Sequence, residues 1–316
     1  MKKISYLLAV LFVLGFVSQC NARAQENGLT DFYSTEFRFS DEYKIDEFSV
    51  ASTRAPDPHG IMLLSDGKLL VSDWQANALI LLDRDCNFIK RIGDLGSAPL
   101  EFMKPTGMAT YQGDLYIIDS GNNRIQILNE DFSYKDSIRI PEIVGSWFTD
   151  IAVNSDHIYI NSNSIMDVNG GIYRGSMQEE FVMITDIVVG PLYTQNDTIY
   201  TINTFECQKV GEDYQGRVGR NQLFFVHPDG LQAVCDLPPR CAPLSFTINQ
   251  ERLICLSGSS YTVSAFTMNG DYEYSLVDFL GLYDDISYDA VMACEGVDSL
   301  YIAGYVEGKL IRVSKI

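Results

Sequence analysis

The chain has 316 residues, 46% of them hydrophobic and 12% aromatic, which is enough for a large packed core and excludes a disordered protein. Lys and Arg number 23 against 42 Asp and Glu, a formal net charge of -19 that repels nucleic acid over most of the surface. No Lys/Arg-rich stretch supplies a compensating basic face, so nucleic acid is not an expected partner.

The N-terminal residues read as an export address. Met1-Lys2-Lys3 is a short positive region, Ile4 to Val17 is an uninterrupted apolar run of 14 residues, and a polar segment follows; that is the layout of a secretory signal peptide over residues 1–24. Spanning a bilayer takes about 20 apolar residues, so the run is short for an anchor. Two processing routes stay open. Val17-Ser18-Gln19-Cys20 resembles a lipobox with Gln19 in place of the usual small residue, which would make Cys20 the lipidated first mature residue and its lipid the only membrane contact. Ala22-Arg23-Ala24 offers ordinary cleavage before Gln25. Six cysteines follow Cys20, and in an oxidising compartment they permit disulfides without demanding them; Cys235 and Cys241 form the one close pair.

From residue 25 to 316 the expectation is one domain built of repeats. Pro58-His59-Gly60-Ile61 falls on Pro105-Thr106-Gly107-Met108, and Leu69 to Asp73 on Leu115 to Asp119. Asn77 then falls on Asn123, Leu79 on Ile125, Leu81 on Ile127, Asp85 on Asp131 and Ile92 on Ile138, at a constant offset of 46 residues. A register held that long marks a repeated structural unit. Each unit reads as four short strands with polar turns between them, the pattern of a propeller blade. The second-strand signal recurs at Leu69, Leu115, Ile158, Ile199, Leu253 and Leu300, separated by 46, 43, 41, 54 and 47 residues, which counts six units. After the sixth second strand the sequence has room for a third strand and no fourth. An N-terminal strand near Phe37 to Tyr43 is therefore expected to close the last blade and cover its edge.

The second unit carries a family resemblance. Gly93, Phe102, Pro105, Gly107, Leu115, Tyr116, Asp119, Asn123, Arg124, Ile125 and Gln126 together resemble an NHL repeat, and the weaker copies with an export signal resemble the TolB-like six-bladed propellers of bacterial cell envelopes, some of them lipoproteins. The resemblance implies an all-β, six-bladed propeller of four-stranded antiparallel blades; it says far less about function, which lives in sites grafted on folds.

Chemistry-bearing residues are sparse. Asp73 and Asp119 end equivalent strands and are expected to hold neighbouring backbone amides rather than a metal, since later units offer Asn161 and Asn203 there. No G-x-S-x-G elbow, H-E-x-x-H pair or phosphate-binding Gly loop occurs, and no motif calls for a cofactor. The face reached by the connections entering first strands and leaving second strands is more informative. His59, Trp74, Thr106 and Trp147 are expected there, with Tyr214, Arg217 and Arg220 from an insertion at Phe205 to Asn221 in the longest unit. Aromatic rings with a few cations on an acidic chain suit a glycan, a peptide or a protein partner at the channel mouth. The expected function is an exported binding or scaffold propeller. The competing reading is a hydrolase or lyase of lactonase-like or amidating-lyase-like type with a metal in the channel.

Overall fold

A computed structural model describes residues 43–49, 57–141, 148–162, 170–186, 188–203, 205–210, 213–217, 221–238, 243–249, 251–257, 262–278, 291–294, 299–303 and 309–315. All of them lie in one compact unit, Phe39–Ile316; Met1–Arg38 is assigned to another. The signal segment and Cys20 lie outside the described residues, as do Cys241, Trp147 and Arg220.

The described strands form six four-stranded antiparallel sheets. Blade 1 is Pro58–Leu63, Leu69–Asp73, Ala78–Leu82 and Phe88–Ile92; blade 2 repeats it as Pro105–Tyr111, Asp114–Asp119, Arg124–Leu128 and Tyr134–Arg139. Blades 3, 4 and 5 have inner strands Phe148–Val153, Leu192–Gln195 and Pro243–Asn249. In blade 6, Val291–Cys294, Ser299–Ala303 and Lys309–Lys315 are completed by Tyr43–Ser49. Inner strands contact those of the preceding and following blades, and Val291–Cys294 touches both Pro243–Asn249 and Pro58–Leu63, so the ring of six closes. All six second-strand positions read from the sequence fall on second strands.

The repeat extends to backbone conformation. Asn77 and Asn123 are both left-handed, at φ 53° and 50°, as are Cys86 and Phe132, at 62° and 70°. These are turn positions 46 residues apart, and Asn tolerates such angles better than most residues.

Each second strand buries both faces, because alternate side chains enter the seams on either side of the blade. Leu69 and Val71 of blade 1 pack toward blade 6, against Tyr301 and Leu310, whereas Leu70 packs toward blade 2, against Leu115 and Ile117. One apolar cluster fills each of the six seams. The residue after each of the six repeat positions read from the sequence faces the next blade: Leu70, Tyr116, Tyr159, Tyr200, Ile254 and Tyr301.

The closing strand differs in position from the expectation. Tyr43–Ser49 pairs antiparallel with Lys309–Lys315, Tyr43 opposite Lys315 and Ser49 opposite Lys309, so the segment near Phe37 to Tyr43 meets it only at Tyr43. The side chains explain the later register. Tyr43 and Ile45 pack on the seam with blade 5, and Phe48 packs on the seam with blade 1. Arg312 pairs with Asp46 at 3.1 Å and with Asp85 of blade 1 at 3.1 Å, and lies 5.1 Å from the centre of the Phe48 ring. The first and last segments of the ring are thereby tied to blade 1 by one guanidinium.

A candidate ligand corner at the mouth

The ends of second strands and the starts of inner strands share one face of the ring. On it, Asp73 organises the entry to blade 1: its Oδ1 accepts the amides of Asp57, at 3.2 Å, and Ala76, at 2.9 Å. The Trp74 amide donates to the Asp57 carbonyl at 2.9 Å. These bonds fix Asp57, His59 and Trp74 relative to one another. The His59 ring lies 5.8 Å from the Trp74 ring at an interplanar angle of 31°, and its Nε2 is 3.4 Å from Oδ1 of Asp57. The His59 side chain is 13% exposed and that of Asp57 50%.

Blade 2 supplies the cation. Lys104, left-handed at φ 56°, donates its amide to Oδ1 of Asn77 at 2.9 Å, and its Nζ sits 4.4 Å from the centre of the Trp74 ring. A lysine in that backbone region is uncommon and is held by its surroundings. The corner is therefore an imidazole, an indole and an ammonium beside a half-exposed carboxylate, at the boundary of blades 1 and 2. Sequence reasoning missed Asp57 and Lys104. The signal was present: both immediately precede the paired Pro58 and Pro105, so the repeat brings them to the same level as His59.

The remaining expected site residues divide. Thr106 is 3% exposed; its hydroxyl donates to the Phe148 carbonyl at 2.8 Å and its carbonyl accepts Oγ of Ser72 at 2.5 Å. It joins blades 1, 2 and 3, and its hydroxyl is committed to the backbone. The insertion is a hairpin, Phe205–Val210 with Asp213–Arg217, whose base pairs with Val188–Val189. In its register Tyr214 stands opposite Lys209 and Arg217 opposite Glu206. Trp147 and Arg220 lie outside the described residues.

Asp119 behaves as a structural acceptor. It takes the Met103 amide at 2.7 Å on Oδ1, and Asn122 and Arg124 at 2.8 Å each on Oδ2. Arg124 goes on to the carbonyls of Ser97, Ala98 and Glu101, and Gln126 bonds Glu101 and Leu100. Asp119, Arg124 and Gln126, three of the residues that carry the repeat resemblance, thus lock the connection between blades 1 and 2. Asn161 is one residue out of step with the expectation: Ser162, not Asn161, lies opposite Phe148 as Asp73 lies opposite Pro58. Among the described residues no three His, Cys, Asp or Glu side chains converge in a way that could hold a metal.

Comparison with known proteins agrees on the architecture. A family model described as a 6-bladed beta-propeller matches residues 58–210. Virginiamycin B lyase from Staphylococcus aureus superposes at TM-score 0.56 and 15% identity, over 87% of this chain and 100% of that one. A Bacteroides fragilis protein whose given name marks it as a candidate for export superposes at TM-score 0.58 and 12% identity, over 89% and 98%. A gluconolactonase from Xanthomonas campestris superposes at 0.57 and 14%, over 88% and 91%. At such identities the likeness is one of fold. No curated protein matches the chain in sequence. Among the described residues no helix is long and apolar enough to cross a membrane.

Proposed function

We propose that the protein is an exported binding propeller that holds a glycan, peptide or protein partner through an anionic group at the corner formed by His59, Trp74 and Lys104. The observation that carries this reading is the Lys104 ammonium 4.4 Å over the Trp74 ring, on a chain of net charge -19. A cation fixed on an aromatic face against an acidic background selects an anion by charge and a flat apolar surface by contact. The hairpin strands Phe205–Val210 and Asp213–Arg217 follow the second strand of blade 4, on the side where second strands end.

The test is a binding screen of the mature protein against matched acidic and neutral glycans and peptides, repeated with Trp74→Ala and Lys104→Met. Loss of an aromatic anchor is expected to cost about 2 kcal/mol, roughly 30-fold in affinity. Lys104→Met should erase the preference for the acidic member of each pair. Equal binding of acidic and neutral ligands by the parent protein refutes the reading. Export is tested by mass spectrometry of the mature N-terminus: lipidated Cys20 or free Gln25 supports it, and an intact Met1 refutes it.

A second reading is favoured by the 3.4 Å approach of His59 to Asp57, the geometry of a carboxylate-oriented acid/base. Here the protein is a hydrolase or lyase, a reading in line with the names of two of its structural neighbours. Turnover of virginiamycin B or of a gluconolactone that is lost in His59→Ala would favour it over simple binding.

A further inference from the structure

The seam between blades 3 and 4 holds a carboxyl group where blades 1 and 2 have glycine. Asp150 lies opposite Asn161 as Gly60 lies opposite Ser72, and the repeat puts Gly107 at the same position. The glycines let adjacent inner strands approach closely. A Cβ on Gly60 would lie 2.5 Å from the Thr106 carbonyl oxygen, and one on Gly107 would lie 2.6 Å from Cα of Asp150. At Asp150 a side chain enters the seam instead. Its Oδ2 accepts the amide of Leu192, the first residue of blade 4's inner strand, at 2.9 Å, and its Oδ1 accepts the Ile151 amide at 2.9 Å.

Asn161, 2% exposed, turns its amide to the same seam. Its Nδ2 donates to the Gly190 carbonyl at 2.7 Å and to Oγ1 of Thr149 at 3.3 Å. Its Oδ1 is buried with no hydrogen-bond partner. Asp150 and Asn161 therefore grip Leu192 and Gly190, immediately after Val188–Val189, the short strand at the base of the insertion hairpin.

An ionised Asp150 has no hydrogen for Asn161 Oδ1, and a buried acceptor without a donor is costly. A neutral Asp150 has one, directly across the strand pair. No neighbouring charge favours the ionised form. The strands packed against Asp150 carry Tyr111, Asp114, Tyr116, Asp119, Tyr159 and Tyr193 as titratable groups, and none of these perturbs it. Asp150 is half-buried as a residue, but lost hydration at its seam-facing carboxyl dominates and pushes it up to about 7, opposed by the Leu192 and Ile151 amides.

We propose that Asp150 is held as the neutral acid in the folded ring, its O–H donating to Oδ1 of Asn161, and that losing this proton loosens the seam at the root of the insertion hairpin. Because the carboxyl titrates higher in the folded ring than in the unfolded chain, the stability it confers is full below about pH 4. It declines as the pH rises through about 7.

Asp150→Asn is the decisive variant: its amide nitrogen can donate to Asn161 Oδ1, its oxygen can accept from Leu192, and it does not titrate. In thermal unfolding of the mature chain, the wild-type midpoint should fall relative to the variant as the pH passes from about 5 to about 8, leaving the variant several degrees higher at the alkaline end. Hydrogen exchange of Leu192 and of residues 205–217, compared between the two proteins at the same pH, should be faster in the wild type at about pH 8 and equal at about pH 5. Parallel melting profiles, or a variant that is the less stable at about pH 8, overturn the proposal. Should the variant not fold, carbon NMR of aspartate-labelled wild type decides: one aspartate carboxyl titrating near neutrality supports it, and none refutes it.

Discussion

The seam between blades 1 and 2 and the seam between blades 3 and 4 share one strand register and close by different means. In the first, Gly60 brings the inner strands together, Ser72 donates to the Thr106 carbonyl, and ten buried apolar residues fill the space outward. In the second, Asp150 and Asn161 bridge to Leu192 and Gly190, and six buried apolar residues are found among the described positions. The repeat thus sets where strands lie and which side chains alternate inward. What fills a given seam is free to diverge, so apolar packing dominates one seam and a polar grip the other. Polar contacts of that kind are sensitive to protonation, and close-packed ones are not.

The largest effects should come from breaking the close-packed seam. Leu70 is fully buried at its centre, and Leu70→Ala is expected to cost about 3 kcal/mol, read from denaturant unfolding. Gly60→Ala should cost about 2 kcal/mol, since its Cβ would meet the Thr106 carbonyl at 2.5 Å and Ser72 Oγ at 2.7 Å. Gly113→Ala is the control. Its Cβ would meet nothing within 4 Å, but its φ is 86°, so only backbone strain of about 1 kcal/mol is expected. If Gly60→Ala costs no more than Gly113→Ala, the inner strands of blades 1 and 2 can move apart, and the contrast between the seams fails.

The lock on the connection between the first two blades should rank next. Arg124 donates to Asp119 and to three backbone carbonyls between Ser97 and Glu101, whereas blade 1 has Ala78 at the same repeat position. Arg124→Met removes the charge-assisted bonds while keeping much of the stem, and should cost about 2 kcal/mol. Faster hydrogen exchange should be confined to residues 94–103. Exchange spread evenly over blade 2 would instead mean that Arg124 supports the blade itself.

How much of this was legible in the sequence follows from which signals repeat. The strand positions, the six units and the insertion were readable because Leu69 to Asp73 and Leu115 to Asp119 obey one alternation forced by two buried faces. The closing strand was placed too early because Glu36 to Ser40 alternates as well as Tyr43 to Phe48 does, and it is the packing of Tyr43, Ile45 and Phe48 with the ties of Asp46 and Phe48 to Arg312 that singles out the later segment. At the mouth, His59 and Trp74 were found as rare residue types at repeat-defined ends. Lys104 and Asp57 were not, because a charge before a proline looks like any solvated turn until its neighbours are known. Asp150 broke a repeat rule, standing where two earlier units have glycine, and such breaks deserve weight equal to the matches.

The smallest expected effect sharpens the comparison at a third seam, between blades 6 and 1. Cys86 is buried there beside Leu82 and Leu310, in the turn that Arg312 ties to the closing strand. Burial, above all, pushes its thiol up to about 12; the Asp83, Asp85 and Asp46 carboxylates act in the same direction, and Arg312 opposes them. Only the thiolate attacks an alkylating reagent. At about pH 8 it is roughly four decades scarcer than the thiol. Cys86 in the native protein should therefore resist iodoacetamide, with modification followed by peptide mass spectrometry, and react once the ring is unfolded. A close-packed apolar seam predicts that inertness, because the residue is 7% exposed and sits among apolar side chains. Rapid native labelling of Cys86 would mean that the closing seam opens readily. Its packing would then resemble the polar grip between blades 3 and 4 rather than the dry contact between blades 1 and 2.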